Sequence, residues 1–98
     1  MTALELLLES AEACQEEWGH APNGFIPVHV HGQVQCVSAY RTAFAQAVIV
    51  EDCAQALGCR ENISHRAAGT IGHAGVFSFK QGKVVTCGEG GMVVTEDD

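Results

Sequence analysis

Lys80 and Lys83 are both lysines of this 98-residue chain, and they lie in one short segment, Phe77-Ser78-Phe79-Lys80-Gln81-Gly82-Lys83, followed by Gly88-Glu89-Gly90-Gly91. A lysine amine that attacks a carbonyl to form an imine needs a fixed base. A rigid strand end flanked by glycines supplies one, because the backbone can then come close to a ligand. The same pattern also describes a surface loop with two solvated lysines. Upstream, Ala47-Val48-Ile49-Val50 reads as a buried strand ending in Glu51-Asp52. Ligands of open parallel sheets bind beyond the carboxyl ends of the strands. A carboxylate there would hold a positive charge such as a protonated pyridine nitrogen, and its own pKa would fall in response. The alternative for Asp52 is a cap on the turn or helix that follows.

The elements that must position these groups alternate between helix and strand. Thr2-Ala3-Leu4-Glu5 forms a capping box. Leu4, Leu7, Leu8, Ala11, Cys14 and Trp18 then recur at helical spacing, with Glu5, Glu9, Glu12 and Glu16 on a solvated face. Trp18 is expected in the core. Residues 19–24 read as a loop, 25–31 as a strand, 38–46 as a short helix and 47–51 as the second strand. Residues 54–73 read as mostly loop, 75–79 as a third strand and 92–95 as a fourth. The pattern predicts an α/β sheet. The connection between the last two strands is too short for a helical crossover, so they are expected to be antiparallel.

Four segments resemble, in order and near-matching spacing, the DegT/DnrJ/EryC1/StrS family of pyridoxal-phosphate-dependent sugar aminotransferases. They are Ile26-Pro27-Val28-His29-Val30-His31-Gly32-Gln33, Val50-Glu51-Asp52-Cys53-Ala54-Gln55-Ala56-Leu57-Gly58, Gly69-Thr70-Ile71-Gly72, and Gly75 through Phe79 and Lys83 to Thr95. Four pieces in sequence are far more specific than any one of them. The resemblance spans residues 25–96 and, more loosely, the first helix. The family usually has Gly-Asp before the aromatic strand where this chain has Gly72-His73. It often has an aromatic residue or histidine and a proline where this chain has Lys80-Gln81-Gly82.

The resemblance implies a partial large domain of the aspartate-aminotransferase-like (type I) fold, with a mostly parallel sheet flanked by helices. It implies pyridoxal 5'-phosphate as cofactor. By the same alignment Lys83 is the catalytic lysine that forms the imine link and shuttles a proton. Asp52 pairs with the ring nitrogen, Gln55 lies beside the ring and Ser78 helps hold the phosphate. Lys80 is not the imine lysine and is read as solvated or phosphate-adjacent. The implied activity is transfer of an amino group from an amino-acid donor, glutamate, to a nucleotide-linked keto-sugar. The implied assembly is a homodimer. Relatives that dehydrate carry histidine in place of the lysine, so Lys83 points to transamination. Family members are several times longer. The 98 residues are therefore expected to be an internal piece of the large domain, without the N-terminal region and the small C-terminal domain, and inactive alone.

Composition narrows the remaining classes. A net charge of -7 argues against a nucleic-acid partner. No apolar run approaches a membrane span, and no basic-then-apolar leader opens the sequence. Cys14, Cys36, Cys53, Cys59 and Cys87 form an odd set without a Cys-x-x-Cys pair. That fits reduced thiols in a cytoplasm. Two alternatives stay open. One is a noncatalytic remnant that packs against a partner chain. The other is a small zinc module in which His29 and His31, on one face of a strand, join Cys36, Cys53, Cys59 or His73, although no spacing matches a structural zinc pattern and no metal ligand is assigned.

Overall fold

The computed structural model describes residues 2–83 and 85–96. Helix α1 spans Ala3–Trp18. The Thr2 hydroxyl accepts the Glu5 amide at 3.1 Å while the Glu5 carboxylate accepts the Thr2 amide at 2.6 Å. Gly19 ends the helix in the left-handed region at φ 80°. Its amide donates to the Gln15 carbonyl, satisfying one terminal acceptor. Leu4 and Leu7 turn inward, and the acidic residues face solvent as the spacing predicts. Trp18 does not reach the core; it is 63% exposed. It lies in the last turn of α1, beyond the part whose Leu4 and Leu7 touch the sheet.

Four strands follow: β1 (Gly24–Phe25), β2 (Val48–Asp52), β3 (Ala74–Ser78) and β4 (Gly91–Thr95). Their order in the sheet is β1-β2-β3-β4. The first two pairings are parallel and the last is antiparallel, as expected from the short final connection. Helix α2 (Val37–Ala43) lies between β1 and β2. The β2–β3 crossover, by contrast, contains no helix. A carboxylate there does the organising. Glu61 accepts the Ser38 amide at 3.0 Å and the Ser38 hydroxyl at 2.8 Å, holding the crossover against the first turn of α2.

The strand expected over residues 25–31 is mostly absent. Regular pairing stops at Phe25, Val28 makes an isolated parallel bridge to Asp52, and Val30–Gly32 forms a 3-10 turn. Pro27 has no N–H to give to a ladder, and His31 adopts φ 55°, ψ 26°, which no strand accommodates.

Register divides the sheet into two faces. Ile49, Glu51, Gly75 and Phe77 point to the covered side and are all buried. Two clusters form the core there. In one, Val37, Tyr40, Ile49 and Ile71 are joined by Leu4, Leu7 and Phe25. In the other, Cys53, Ala56, Ala68 and Phe77 are joined by Cys59, Phe79 and Val94. On the opposite face Asp52, Val76 and Val93 form one row across three strands. Val48, Val76 and Val93 on this side are 54%, 41% and 66% exposed. At Gly75 the sheet meets the crossover backbone to backbone, since a Cβ there would lie 2.4 Å from the Gly69 Cα. Only glycine permits that approach.

Candidate active-site cleft

A cleft of about 490 Å³ opens beyond the carboxyl ends of β2 and β3, within the size range of small-molecule sites, roughly 300–1,000 Å³. Three of the four expected site residues line it. Gln55 comes from the turn after β2, Ser78 from the last position of β3, and Lys83 from the loop between β3 and β4. The Lys83 loop is held at its base. The Phe79 amide donates to the Gly90 carbonyl at 2.8 Å, the Gln81 amide to Gly88 at 2.7 Å and the Cys87 amide to Phe79 at 3.0 Å. Within the loop the Lys83 amide donates to the Lys80 carbonyl at 3.1 Å. Lys83 is half-buried in the cleft wall, whereas Lys80 is exposed and is not among the lining residues.

Asp52, the fourth expected residue, does not line the cleft; it lies two positions before the lining residue Ala54. It is half-buried, and its Oδ1 accepts the Ala54 amide at 3.0 Å, which is the turn-capping role left open by the sequence. Among the described residues Oδ2 has no partner. It remains able to take a cation while Oδ1 holds the turn.

Residues beyond the expected set complete the cleft: His31, Gly32, Ala54, Leu57, Cys59, Gly82 and Val85. The His31 amide donates to Gln55 Oε1 at 2.6 Å. With its oxygen engaged, Gln55 presents its NH2 group as the free end. The signal for this wall was present in the His-Gly pair, which marks a turn rather than a continuing strand.

Glu51 points the other way from Asp52, because successive strand residues alternate faces. It is fully buried and accepts four hydrogen bonds: from His29 Nε2 at 2.9 Å, Gly69 N at 3.0 Å, Ile71 N at 2.9 Å and Gly72 N at 2.8 Å. Burial pushes its pKa up. The His29 ring and the three amides outweigh that and hold it below the ordinary glutamate range. His29 Nδ1 accepts the Gln35 amide at 3.0 Å, so Nε2 must carry the ring proton that goes to Glu51.

This arrangement corrects the picture of His29 and His31 on one strand face. The strand ends before them, so His29 turns into the core and His31 toward the cleft. His29, Glu51 and Cys53 place potential ligand atoms within 4.8 Å of one another. Both His29 nitrogens and both Glu51 oxygens are already in hydrogen bonds, however. Burial, with the neighbouring Glu51 and Asp52 carboxylates, pushes the Cys53 thiol up to about 12. In this arrangement the cluster is a hydrogen-bonded core. His73 lies elsewhere, with Nδ1 accepting the Ile49 amide at 3.0 Å at the start of β2.

Known proteins share this arrangement of elements. The family described as the DegT/DnrJ/EryC1/StrS aminotransferase family matches residues 9–98. The GDP-perosamine synthase of Vibrio cholerae is 33% identical over 96 residues, covering 96% of this chain and 26% of the relative. The dTDP-3-amino-3,4,6-trideoxy-alpha-D-glucose transaminase of Micromonospora megalomicea is 45% identical over 76 residues, 74% of this chain and 20% of the relative. Among solved structures, a DegT DnrJ EryC1 StrS aminotransferase from Brucella abortus superposes with a TM-score of 0.78 at 32% identity. That match covers 94% of this chain and 25% of the other. The chain thus spans about a fifth to a quarter of the length of these relatives. A family match over nine-tenths of its residues, on an α/β sheet of the same course, makes this chain a member of the DegT/DnrJ/EryC1/StrS aminotransferase family.

Proposed function

We propose that residues 1–98 are part of the cofactor-holding large domain of a pyridoxal-phosphate-dependent sugar aminotransferase. In this reading the N-terminal region and the small C-terminal domain are supplied outside this segment. The observation that carries it is the convergence of Lys83, Ser78 and Gln55, from three separate elements, on one cleft at the carboxyl end of the sheet.

The residues suit the group. The cleft offers an amine, a hydroxyl and a carboxamide NH2. Asp52, outside the lining and two positions before Ala54, keeps one carboxylate oxygen unengaged. Pyridoxal phosphate, when bound, supplies an electron sink for bond breaking at the carbon next to an amine. Lys83 Nζ would be the attachment point; once released, it would move a proton from the donor carbon to the cofactor carbon in the first half and from there to the acceptor carbon in the second. The Ser78 hydroxyl donates to a phosphate oxygen. Gln55 would lie beside the ring, its carboxamide oriented by the His31 amide. Asp52, with Oδ2 unengaged, would be the partner that keeps a protonated ring nitrogen charged.

The donor in this reading is an amino acid, glutamate, and the acceptor a keto-sugar carried on a nucleotide. Both of the curated relatives described above are named for aminosugar nucleotides. The working form is a homodimer, and the isolated segment lacks activity. A test is available within the chain itself, because Lys80 is an internal control for Lys83. Incubation with pyridoxal phosphate, reduction with borohydride and peptide mapping should give label on Lys83 well above that on Lys80. Equal labelling, or label on Lys80 alone, overturns the assignment.

The uncovered valines of the sheet favour a second reading, an interaction fragment whose role is to pack against another chain. Under that reading sedimentation shows a stable complex while borohydride trapping shows no preference between the lysines.

A further inference from the structure

The cleft has a chemical bias that the roles above do not exhaust. The chain carries 12 Asp and Glu against 5 Lys and Arg, yet no described carboxylate lines the cleft. Its polar walls are Lys83, Ser78, Gln55 and His31, each able to donate a hydrogen bond. His31 is the unexplained member. It is one of two described non-glycine residues at positive φ, a conformation that costs of order 1 kcal/mol for such residues. Its amide is engaged by Gln55, and among the described residues its ring has no hydrogen-bond partner. A left-handed residue before Gly32 could be glycine or asparagine at less cost. Histidine here places an unpaired imidazole in the wall that also contains Lys83.

We propose that His31 is a ligand-contacting residue of the cleft, and that the group it takes is an oxyanion, a phosphate or a carboxylate. A neutral imidazole offers one N–H to such a group and an imidazolium two. Donors converging from separate elements in a wall without carboxylates select for negative charge. The inference rests on the proposed function only in assuming that the cleft takes a ligand; the identity of His31's partner is independent of imine chemistry at Lys83.

The experiment is a histidine-ring NMR titration of the whole chain with inorganic phosphate, with glutamate and with pyridoxal 5'-phosphate as separate probes. His20 and His65, exposed and outside the cleft, are internal controls. The His31 ring should shift with at least one probe while the controls stay still. A response to phosphate but not glutamate assigns a phosphate partner, and the reverse assigns a carboxylate. His31→Gly and His31→Asn suit the left-handed backbone, so both should keep or raise the thermal midpoint. They should weaken binding of the responding probe by about tenfold or more, the loss expected for a hydrogen bond to a charged group. If His31 shifts no more than His65 with all three probes, or if both variants bind as wild type does, the proposal is overturned. Borohydride labelling of Lys83 separates the two claims. Label on Lys83 with a silent His31 removes only this inference. A responsive His31 without label on Lys83 removes only the aminotransferase reading.

Discussion

Replacing Glu51 with glutamine changes one oxygen to an NH2 group in the densest polar knot of the molecule. Glu51 accepts two donors on each oxygen: His29 and Gly69 on Oε1, Ile71 and Gly72 on Oε2. Whichever way the glutamine amide turns, its NH2 faces two N–H donors. His29 cannot relieve this by moving its proton, because Nδ1 is committed to the Gln35 amide. Two buried donors without acceptors, at about 1–3 kcal/mol each, give a loss of about 2–6 kcal/mol. A domain of this length holds only about 5–15 kcal/mol in total. Glu51→Ala orphans all four donors and should not fold. Urea unfolding followed by far-UV circular dichroism is the assay. For Glu51→Gln the midpoint should drop sharply with the slope unchanged, as for a pure stability change. A Glu51→Gln protein within about 0.5 kcal/mol of wild type, the range of ordinary surface substitutions, would refute the idea that this carboxylate fastens the crossover to the sheet.

Acid should act on this carboxylate and on Glu61. Glu51 and Glu61 both titrate below the ordinary glutamate value of 4.5 in the folded chain, because hydrogen bonds lower each by more than burial raises it. Groups with depressed folded pKa values stabilise fully above the unfolded value and lose that contribution as pH falls through the folded one. Urea midpoints should therefore be flat near neutrality and decline below about 4.5, and Glu61→Gln should flatten the decline. His73 accepts the Ile49 amide, so His73→Asp keeps an acceptor there and should hold the thermal midpoint. His73→Leu, which leaves that amide unpaired, should cost about 1–3 kcal/mol by the same measurement. Gly75→Ala drives a methyl group into the Gly69 backbone and should cost about 3 kcal/mol in urea.

Much of this was legible in the sequence because it is written in local pattern. The capping box fixed the start of α1, and the β-branched run marked β2. The short link fixed the sense of β4. Gln55, Ser78 and Lys83 were named through the family resemblance, and all three line the cleft. The misses were tertiary. Nothing in the local pattern states that the Trp18 end of α1 overhangs the sheet. The strand expected through His31 failed at Pro27 and at the His-Gly turn, where turn chemistry overrode apolar content. Glu51 and Asp52 read alike as neighbouring carboxylates. Strand alternation sends one into the core and the other to the open face, and only the fold shows which receives the four donors.

The paired base of the Lys83 loop bears on how a ligand would be received. Backbone bonds from Phe79, Gln81 and Cys87 zip the two arms of this long hairpin well past the end of the regular sheet. The backbone freedom of these arms is thereby reduced before any ligand arrives. Affinity at this site should therefore be sensitive to substitutions in the arms, at positions that never approach the bound molecule, as much as to those that touch it.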